Sequence, residues 1–322
     1  MTNRKKTVLA VVGSTASGKT SLAVALAHRL GGEIVCCDSM QIYRRMDIGT
    51  AKPTAEEQEG IRHHLFDFVS PETSYSCADY VTAARACIDE IHARGKLPVL
   101  CGGTGLYLDR LLSGGDFEET ATDDALRAEL FAYAAEHGNA TLHRMLAEVD
   151  PESAAAIHEN NVKRVVRAIE VYRTSGITKS EADRRTKTAV SPYDACVLGL
   201  RYADRELLYR RIDLRVDQML AAGLLEETRQ LDAEGIFASN TTAAQAIGYK
   251  ELLGYLHGEC SSEDAVEALK RATRRYAKRQ ITWFSAKPYV RWLDAVKDGA
   301  VRPLTSLCDE AVACFKEHQN QN

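Results

Sequence analysis

The sequence contains no hydrophobic run that approaches the ~20 residues of a membrane-spanning helix. Its first six residues are basic but lack the apolar core of a signal peptide. Internal repeats and low-complexity segments are also absent from the 322 residues. These absences predict a chain that is neither held in a membrane nor exported, and therefore a cytoplasmic protein.

Cysteine occurs without the spacing of a metal site or a disulfide framework. The nine cysteines include no C-x-x-C pair and lie in segments with strand or helix patterns. We interpret them as small buried residues of a reducing compartment. His63 and His64 are adjacent, and neighbouring side chains in a strand point apart, so they are not predicted to share a metal.

The chain also has little excess charge, with a formal net charge of −4. This value argues against a protein that coats nucleic acid with its whole surface. It leaves room for a local basic face, because only the surface that meets the partner must be positive.

One stretch near the N-terminus fits the phosphate-binding pattern G-x-x-x-x-G-K-[ST]. An apolar run over residues 7–12 predicts a strand before it, and the spacing over residues 21–30 predicts a helix after it. Backbone N–H groups of such a turn wrap a phosphate, the lysine supplies a cation, and the final hydroxyl binds Mg²⁺. The predicted phosphate-binding residues, with Thr20 as the Mg²⁺ ligand, are Gly13, Ser14, Thr15, Ala16, Ser17, Gly18, Lys19 and Thr20.

Two further apolar runs predict core strands that end in polar or glycine-rich turns. Residues 33–37 lead into Asp38, and residues 97–101 lead into the glycine-rich turn 102–105. Because ligands of open parallel sheets bind beyond the carboxyl ends of the strands, Asp38 is expected near the phosphate loop. The second glycine turn has two interpretations, a ligand clasped from two sides or a turn that simply needs positive φ.

The pattern changes between residues 113 and 192, where only helices are predicted: 123–137, 140–149, 152–158 and 161–175. We therefore predict an α/β fold, a P-loop NTPase-like parallel sheet core with an all-helical insertion domain. The predicted domains are residues 1–113 for the first part of the core, 114–192 for the insertion and 193–322 for the second part.

The second part of the core is predicted to be rich in helices that carry cations. Helices are expected over residues 205–222, 226–234 and 262–287, a last strand over 289–293, and a frayed tail after 316. Basic and aromatic residues alternate in the helix 262–287, which fits either nucleic-acid binding or a solvated face over an apolar one.

The residues alone leave three functions open. A P-loop small-molecule kinase would transfer a phosphoryl group from a bound nucleotide. In the second account the cradled diphosphate is the leaving group, a carbon fragment is transferred and a carboxylate deprotonates the nucleophile. The basic segments favour this account if the nucleophile belongs to RNA. The third is an RNA-binding module without chemistry.

Several motifs in one order resemble the bacterial tRNA dimethylallyltransferase family. They run from the phosphate loop to about residue 294, nearly the whole chain, and their joint occurrence is far more specific than any one of them. They are DSMQIYRRMDIGTAKP (38–53), HHLFD (63–67), YSCADY (75–80), GGTGLYL (102–108), KRVVRAIEVY (163–172), AIGYKE (246–251) and YAKRQITWF (276–284).

The resemblance implies transfer of a dimethylallyl group from dimethylallyl diphosphate to the exocyclic amine of the adenine 3′ of the anticodon, with Mg²⁺. The base would be flipped into a channel through the core, and the diphosphate would enter from the other end and lie on the phosphate loop. The implied partners are the tRNA anticodon stem-loop and dimethylallyl diphosphate, and a monomer is expected. The ATP-binding label common in the family follows from its P-loop, so diphosphate is the expected ligand.

The resemblance also assigns roles to residues. Asp38 matches the general base, Thr104 a threonine beside the reacting groups, and Arg215 an arginine on the pyrophosphate. The matched tRNA-contacting positions are Asp38, Ser39, Met40, Gln41, Thr104, Arg127, Lys163, Arg164, Val165, Val166, Arg167, Gln245, Ala246, Ile247, Gly248, Tyr249, Lys250, Lys278, Arg279, Gln280, Ile281, Thr282, Trp283, Phe284 and Ser285. The chain departs from the family at Ser14, Asn161 and Ser285, where Pro, Asp and Arg are common.

Overall fold

The computed structural model describes residues 5–114, 123–188, 190–239 and 241–321. The chain forms two compact units, a larger one of Met1–Leu112 with Tyr193–Asn322 and a smaller one of Ser113–Pro192. The larger unit is α/β, and the described residues of the smaller unit form helices. The predicted α/β fold class is therefore confirmed. No helix in the described ranges combines the length and apolar character that crossing a membrane requires.

A six-stranded sheet forms the centre of the larger unit. Its strands are β1 Lys6–Gly13, β2 Gly32–Cys36, β3 His63–His64, β4 Leu97–Gly102, β5 Tyr193–Arg201 and β6 Val290–Asp294. They lie in the order β3-β2-β4-β1-β5-β6, and every pair is parallel. A short antiparallel pair, β7 Val296–Lys297 and β8 Ala300–Val301, follows β6.

The central strand β1 is buried on both faces of the sheet. Leu9 and Val11 belong to one hydrophobic cluster, whereas Val8, Ala10 and Val12 belong to another. This alternation follows from the two-residue period of strand side chains, and helices on both faces explain the continuous apolar run. Because parallel strands end at the same edge, the turns after β1, β2 and β4 meet there.

Helices account for most of the remaining described residues. They are α1 Lys19–Leu30, α2 Cys77–Ala93, α3 Gly105–Leu112, α4 Asp124–His137, α5 Asn139–Val149, α6 Pro151–Ala156, α7 Val162–Ser175, α8 Lys179–Thr188, α9 Arg205–Ala221, α10 Leu224–Ala233, α11 Ile236–Ser239, α12 Thr241–Ala244, α13 Tyr249–Leu256, α14 Ser262–Ser285 and α15 Leu304–Gln321. The helices α4 to α8 form the smaller unit around its own buried cluster, which includes Leu130, Leu142, Leu146 and Ile169.

The C-terminal segment corrects one prediction. The tail after residue 316 was expected to be frayed, whereas α15 continues to Gln321. Leu307, Ala311 and Phe315 are buried in the cluster that also holds Leu26 of α1. Their spacing of four residues is a helical signal, and packing against α1 keeps this helix in place.

Two helices of the larger unit begin directly after a glycine with positive φ. Gly248 has a φ of 109° and directly precedes α13. Gly223 has a φ of 103° and directly precedes α10. A right-handed helix cannot continue through such a φ, so both glycines mark breaks.

The helix α8 was not predicted, because it has almost no apolar residues. Lys179 pairs with Asp183, and Glu181 pairs with Arg185 at 2.6 Å, both at i,i+4 spacing. The Ser180 N–H donates to Asp150 Oδ2 at 3.0 Å. The pairs of opposite charge were the available signal, and each contributes only a few tenths of a kcal/mol to a helix.

A buried charge cluster fixes the short edge strand β3 to β2. The Glu33 side chain is 7% exposed, and its Oε2 lies 2.6 Å from His64 Nε2 and 2.7 Å from Arg94. Burial alone would raise the pKa of Glu33, but the hydrogen bonds from Arg94 and His64 lower it to about 2. The ionised carboxylate is therefore the form that the fold stabilises.

Glu33→Gln is expected to lower the free energy of unfolding by about 2–4 kcal/mol at neutral pH, because Arg94 and His64 lose a charged partner. The folded pKa of about 2 lies below the ordinary 4.5. The contribution is thus present above pH 4.5 and is lost as the pH falls towards 2. Urea unfolding measured between pH 7 and pH 2 should show that the difference in unfolding free energy between wild type and Glu33→Gln shrinks in acid. The exposed Glu56→Gln is the control, and a pH-independent difference would contradict the assignment.

Candidate functional site

The phosphate loop joins β1 to α1 at the carboxyl edge of the sheet. Gly18 has a φ of 90°, which a residue with a Cβ rarely adopts, and it precedes the first turn of α1. Lys19 Nζ donates to the Ser14 carbonyl at 3.3 Å. Burial lowers the pKa of Lys19 below its ordinary value, although Cys101 and Asp38 act in the opposite direction. The loop thus presents a helix N-terminus and a partly desolvated cation to an anion.

A hydroxyl inside this loop points to a polar ligand. Ser17 is 3% exposed and lines the cavity described below. Within the described part of the chain, Ser17 Oγ finds no hydrogen-bond partner. Buried polar groups are rarely left unpaired, so a bound anion is a natural partner for this hydroxyl.

Two arginines of α9 reach the same region. Arg211 Nε donates to the Ala16 carbonyl of the phosphate loop at 3.0 Å, and Arg215 donates to the Ala51 carbonyl at 3.3 Å. Desolvation lowers the pKa of Arg215, while Glu57 and Asp38 oppose the effect. The resemblance assigns a site role to Arg215 but none to Arg211, which lies one helical turn away on the same face.

The turn after β2 holds Asp38 in a fixed orientation. Its Oδ1 accepts the backbone N–H groups of Met40 at 2.9 Å and Gln41 at 3.4 Å. The Thr104 hydroxyl accepts the Ser39 N–H at 3.0 Å. One carboxylate oxygen thus orients the side chain, and Oδ2 has no backbone contact of this kind among the described residues.

The interpretation of the second glycine turn as one that needs positive φ is wrong, whereas a ligand clasped from two sides stays a prediction. None of Gly102, Gly103 and Gly105 has a positive φ, and none lines the cavity. A Cβ on Gly102 would lie 1.9 Å from the Cys37 carbonyl oxygen, and one on Gly105 would lie 2.2 Å from the Trp283 ring. These glycines are therefore required because neighbouring atoms approach the backbone closely.

Gln280 of α14 connects the two glycine-containing turns. Its Oε1 accepts the Thr15 N–H at 2.8 Å, and its Nε2 donates to the Gly103 carbonyl at 3.0 Å. Gln280 is only 4% exposed. These two bonds give the side chain a structural task between the phosphate loop and the Thr104 turn, and the tRNA contact that the resemblance implies stays a prediction.

Gln280→Leu is expected to cost about 2–4 kcal/mol of unfolding free energy, because it leaves the Thr15 N–H and the Gly103 carbonyl buried without partners. Chemical denaturation measures this cost. The exposed Thr282→Ala on the same helix is the matched control and should change stability by less than about 0.5 kcal/mol. Equal stability of the two variants would show that the bridge contributes nothing.

The larger unit contains one prominent cavity of about 620 Å³ at this edge of the sheet. The phosphate loop from Thr15 to Thr20, Asp38 and Arg215 all line it. Thr104 does not line it but lies one hydrogen bond away, through Ser39. The cavity thus brings together an anion-binding loop, two arginines and a carboxylate that could accept a proton.

Most predicted tRNA-contacting residues of the larger unit are near this cavity, but several are buried. Those that line it are Ser39, Met40, Gln41, Gln245, Ala246, Ile247, Lys250, Arg279 and Gln280. Lys250, Lys278, Arg279, Thr282 and Ser285 are exposed, and Ile281 and Trp283 are half-buried. The side chains of Tyr249 and Phe284 are at most 1% exposed and Gly248 is buried, so their direct contact with tRNA is corrected to a packing role. Ala246 and Gln280 are also buried but line the cavity, so their contact with a bound base stays a prediction.

In the smaller unit the predicted cations divide into two groups. Lys163 and Arg164 are exposed on α7. Arg127 and Arg167 instead bind the buried Glu170, at 2.9 and 2.6 Å. Their neighbours Val165 and Val166 are at most 2% exposed in the core, so the prediction of tRNA contact is corrected for these two side chains.

The donor set fits Mg²⁺ held together with phosphate. Thr20 and Asp38 line the same cavity and offer hard oxygen atoms. No group of three or more His, Cys, Asp or Glu side chains within the described ranges could hold a metal by itself. Mg²⁺ commonly binds to few protein oxygens and completes its shell with substrate phosphates and water, so these residues suit it.

The fold and cavity define a P-loop α/β protein in which the phosphate loop and a carboxylate line one cavity. A family model described as IPP transferase matches residues 41–287. The chain belongs to the IPP transferase family and is therefore a transferase.

Solved structures and curated relatives agree with this membership. The full-length tRNA isopentenylpyrophosphate transferase of Bacillus halodurans aligns with a TM-score of 0.71 and 42% identity, covering 98% of this chain and 99% of its own. A eukaryotic dimethylallyltransferase acting on tRNA gives a TM-score of 0.78 and 32% identity over 91% of this chain and 74% of its own. The curated tRNA dimethylallyltransferase of Geobacillus kaustophilus is 49% identical over 292 residues, 91% of each chain.

These relationships decide between the functions that the residues left open. A small-molecule kinase and an RNA-binding module without chemistry are both set aside, because the family transfers a prenyl group. The P-loop is consequently a phosphate-binding device shared with kinases and not evidence for phosphoryl transfer.

Proposed function

We propose that the chain transfers a dimethylallyl group from dimethylallyl diphosphate to the exocyclic amine of the adenine 3′ of the anticodon in tRNA. The observation that carries the proposal is that the phosphate loop and Asp38 line one cavity. The products are N6-dimethylallyladenosine in tRNA and pyrophosphate. The names of relatives that act on tRNA support this substrate.

In the proposed step the amine nitrogen forms a bond to the terminal carbon of the dimethylallyl group while the bond from that carbon to oxygen breaks. The bonding electrons leave with pyrophosphate, and Asp38 takes the proton from the amine. Lys19, Arg211 and Arg215 stabilise the charge on the departing pyrophosphate. Thr104, next to Ser39, lies beside the reacting groups.

Thr20 would hold Mg²⁺ together with the diphosphate oxygens. The ion, when bound, neutralises diphosphate charge and so makes pyrophosphate a better leaving group. The exposed cations Lys163, Arg164, Lys278 and Arg279 would contact RNA phosphates.

The test is incubation with an anticodon stem-loop RNA, dimethylallyl diphosphate and Mg²⁺, followed by nucleoside mass spectrometry. We expect one adenosine to gain the mass of a dimethylallyl group in place of hydrogen. The same RNA with guanosine in that position should gain nothing. Unmodified nucleosides under conditions where RNA and diphosphate both bind would contradict the proposal.

A further inference from the structure

Glu227 of α10 binds three successive backbone amides of the loop after β2. Its carboxylate accepts the N–H groups of Asp47 at 3.0 Å, Ile48 at 2.9 Å and Gly49 at 2.9 Å. Hydrogen bonds to an ionised acceptor are about twice as strong as neutral ones. A single side chain about 180 residues away in sequence thus fixes the path of this loop.

Tyr249 completes the arrangement from the other side. Its hydroxyl donates to Glu227 Oε1 at 2.6 Å, and the residue is fully buried. Burial and the neighbouring Glu227 charge raise the pKa of Tyr249, so the phenol stays a donor. A Cβ on Gly49 would lie 2.3 Å from the Tyr249 ring, so the loop lies directly on the ring. We call Glu227, Tyr249 and the three amides the loop anchor.

The loop anchor affects the cavity through the carbonyl groups of the two residues that follow Gly49, which are Thr50 and Ala51. Gln41 Nε2 donates to the Thr50 carbonyl at 3.2 Å and to the Ala51 carbonyl at 3.1 Å. Arg215 also donates to the Ala51 carbonyl. Since Thr50 and Ala51 line the cavity, the direction of these carbonyls sets the position of Gln41 and Arg215.

We propose that Glu227, together with Tyr249, is a positioning residue for the transfer reaction, because it holds the loop whose carbonyls place Arg215 and Gln41 in the cavity. This inference rests on the proposed function. Glu227 does not line the cavity and has no direct contact with the substrates in this account. Displacement of a catalytic group by about 1 Å can cost up to 10²-fold in rate, so loss of the anchor should act on the chemical step.

Two variants test the loop anchor without changing its volume. Glu227→Gln keeps the length of the side chain but presents an NH₂ group to backbone donors, and Tyr249→Phe removes only the phenol oxygen. We expect kcat to fall about tenfold in Glu227→Gln and about threefold in Tyr249→Phe, with the KM for RNA within about twofold. Glu226→Gln, an exposed neighbour paired with Arg229, is the matched control and should keep the wild-type kcat.

A double-mutant cycle separates positioning from general stability. If Glu227 acts through Arg215, Glu227→Gln should lower kcat by less than about threefold in an Arg215→Ala background. Tyr249→Phe added to Glu227→Gln should also have little further effect. The proposal would be overturned if the losses in kcat from Glu227→Gln and Arg215→Ala simply multiplied in the double variant, or if Glu227→Gln kept the wild-type kcat. If Glu227→Gln fails to fold, a double-mutant cycle of Tyr249→Phe with Arg215→Ala tests in the same way whether the loop anchor acts through Arg215.

The exchange of the backbone amides of residues 47–49 provides a readout that does not need catalysis. Hydrogen exchange at these amides should be faster in Glu227→Gln than in wild type, with no change at β1. The activity of the wild-type protein separates failure of the proposed prenyl transfer from failure of the loop anchor. If it transfers no prenyl group, the proposed function fails, whereas unchanged exchange with an active wild type overturns the loop anchor alone.

Discussion

Asp38→Ala is expected to lower kcat for prenyl transfer by at least about 10²-fold, the usual contribution of a general base. The Asp38 carboxylate lines the cavity and can take a proton from an adenine amine, and its Oδ1 is already engaged by the Met40 and Gln41 N–H groups. Nothing else in the proposed step replaces this acceptor. Steady-state kinetics with a stem-loop RNA and dimethylallyl diphosphate measure the loss.

Asp38→Asn is the sharper companion variant. The amide oxygen can still accept the Met40 N–H and keep the turn, but the side chain cannot act as a base. We expect Asp38→Asn to be as inactive as Asp38→Ala, with RNA affinity and melting temperature close to wild type. Substantial turnover in Asp38→Asn would show that orientation of the loop, and not proton transfer, is the role of this residue.

Lys19→Ala should lower kcat/KM for dimethylallyl diphosphate by about 10²- to 10³-fold, because a preorganised cation at developing charge is worth several kcal/mol. Lys19 begins α1, binds the Ser14 carbonyl and lines the cavity. RNA affinity should change little, since Lys19 is expected to contact the diphosphate and not the RNA. Calorimetric titration measures the affinity for inorganic pyrophosphate, and a separate binding assay measures the affinity for RNA.

The exposed Lys6→Ala, whose side chain pairs with Asp89, is the control for loss of a positive charge. It should leave kcat/KM unchanged. Wild-type affinity of Lys19→Ala for pyrophosphate would contradict the assignment of the phosphate loop to the leaving group.

The sequence predicts the central strands β1, β2 and β4 well because most of their residues are buried. The runs at residues 7–12, 33–37 and 97–101 each differ from β1, β2 and β4 by only a residue or two at the ends. The phosphate loop is equally predictable from local sequence. Gly18 adopts a positive φ there, and Lys19 supplies the cation of the pattern. Local patterns of this kind do not depend on distant partners.

Other parts of the site depend on contacts between residues far apart in the chain. Gln280 reaches Thr15 across 265 residues, and Arg211 reaches Ala16 across 195. No local spacing encodes such a bond, so the bridging role of Gln280 and the presence of Arg211 follow only from the fold. Sequence motifs place Gln280 among tRNA contacts, and only the fold shows that its side chain also connects two turns.

The predicted tRNA surface shows a similar limit. The KRVVR segment combines exposed Lys163 and Arg164 with buried Val165 and Val166, and Arg167 binds Glu170. A motif marks a whole segment, whereas helical geometry decides which of its side chains face solvent. Predictions of monomeric state and cytoplasmic location stay predictions.

The fate of the diphosphate tests the central claim most directly. Dimethylallyl diphosphate labelled separately in its carbon chain and in its phosphates would be incubated with the protein, Mg²⁺ and stem-loop RNA. We predict that the carbon label enters RNA while the phosphate label is released as pyrophosphate, one for one. Phosphate label transferred to any acceptor, or carbon label that never enters RNA, would contradict the account.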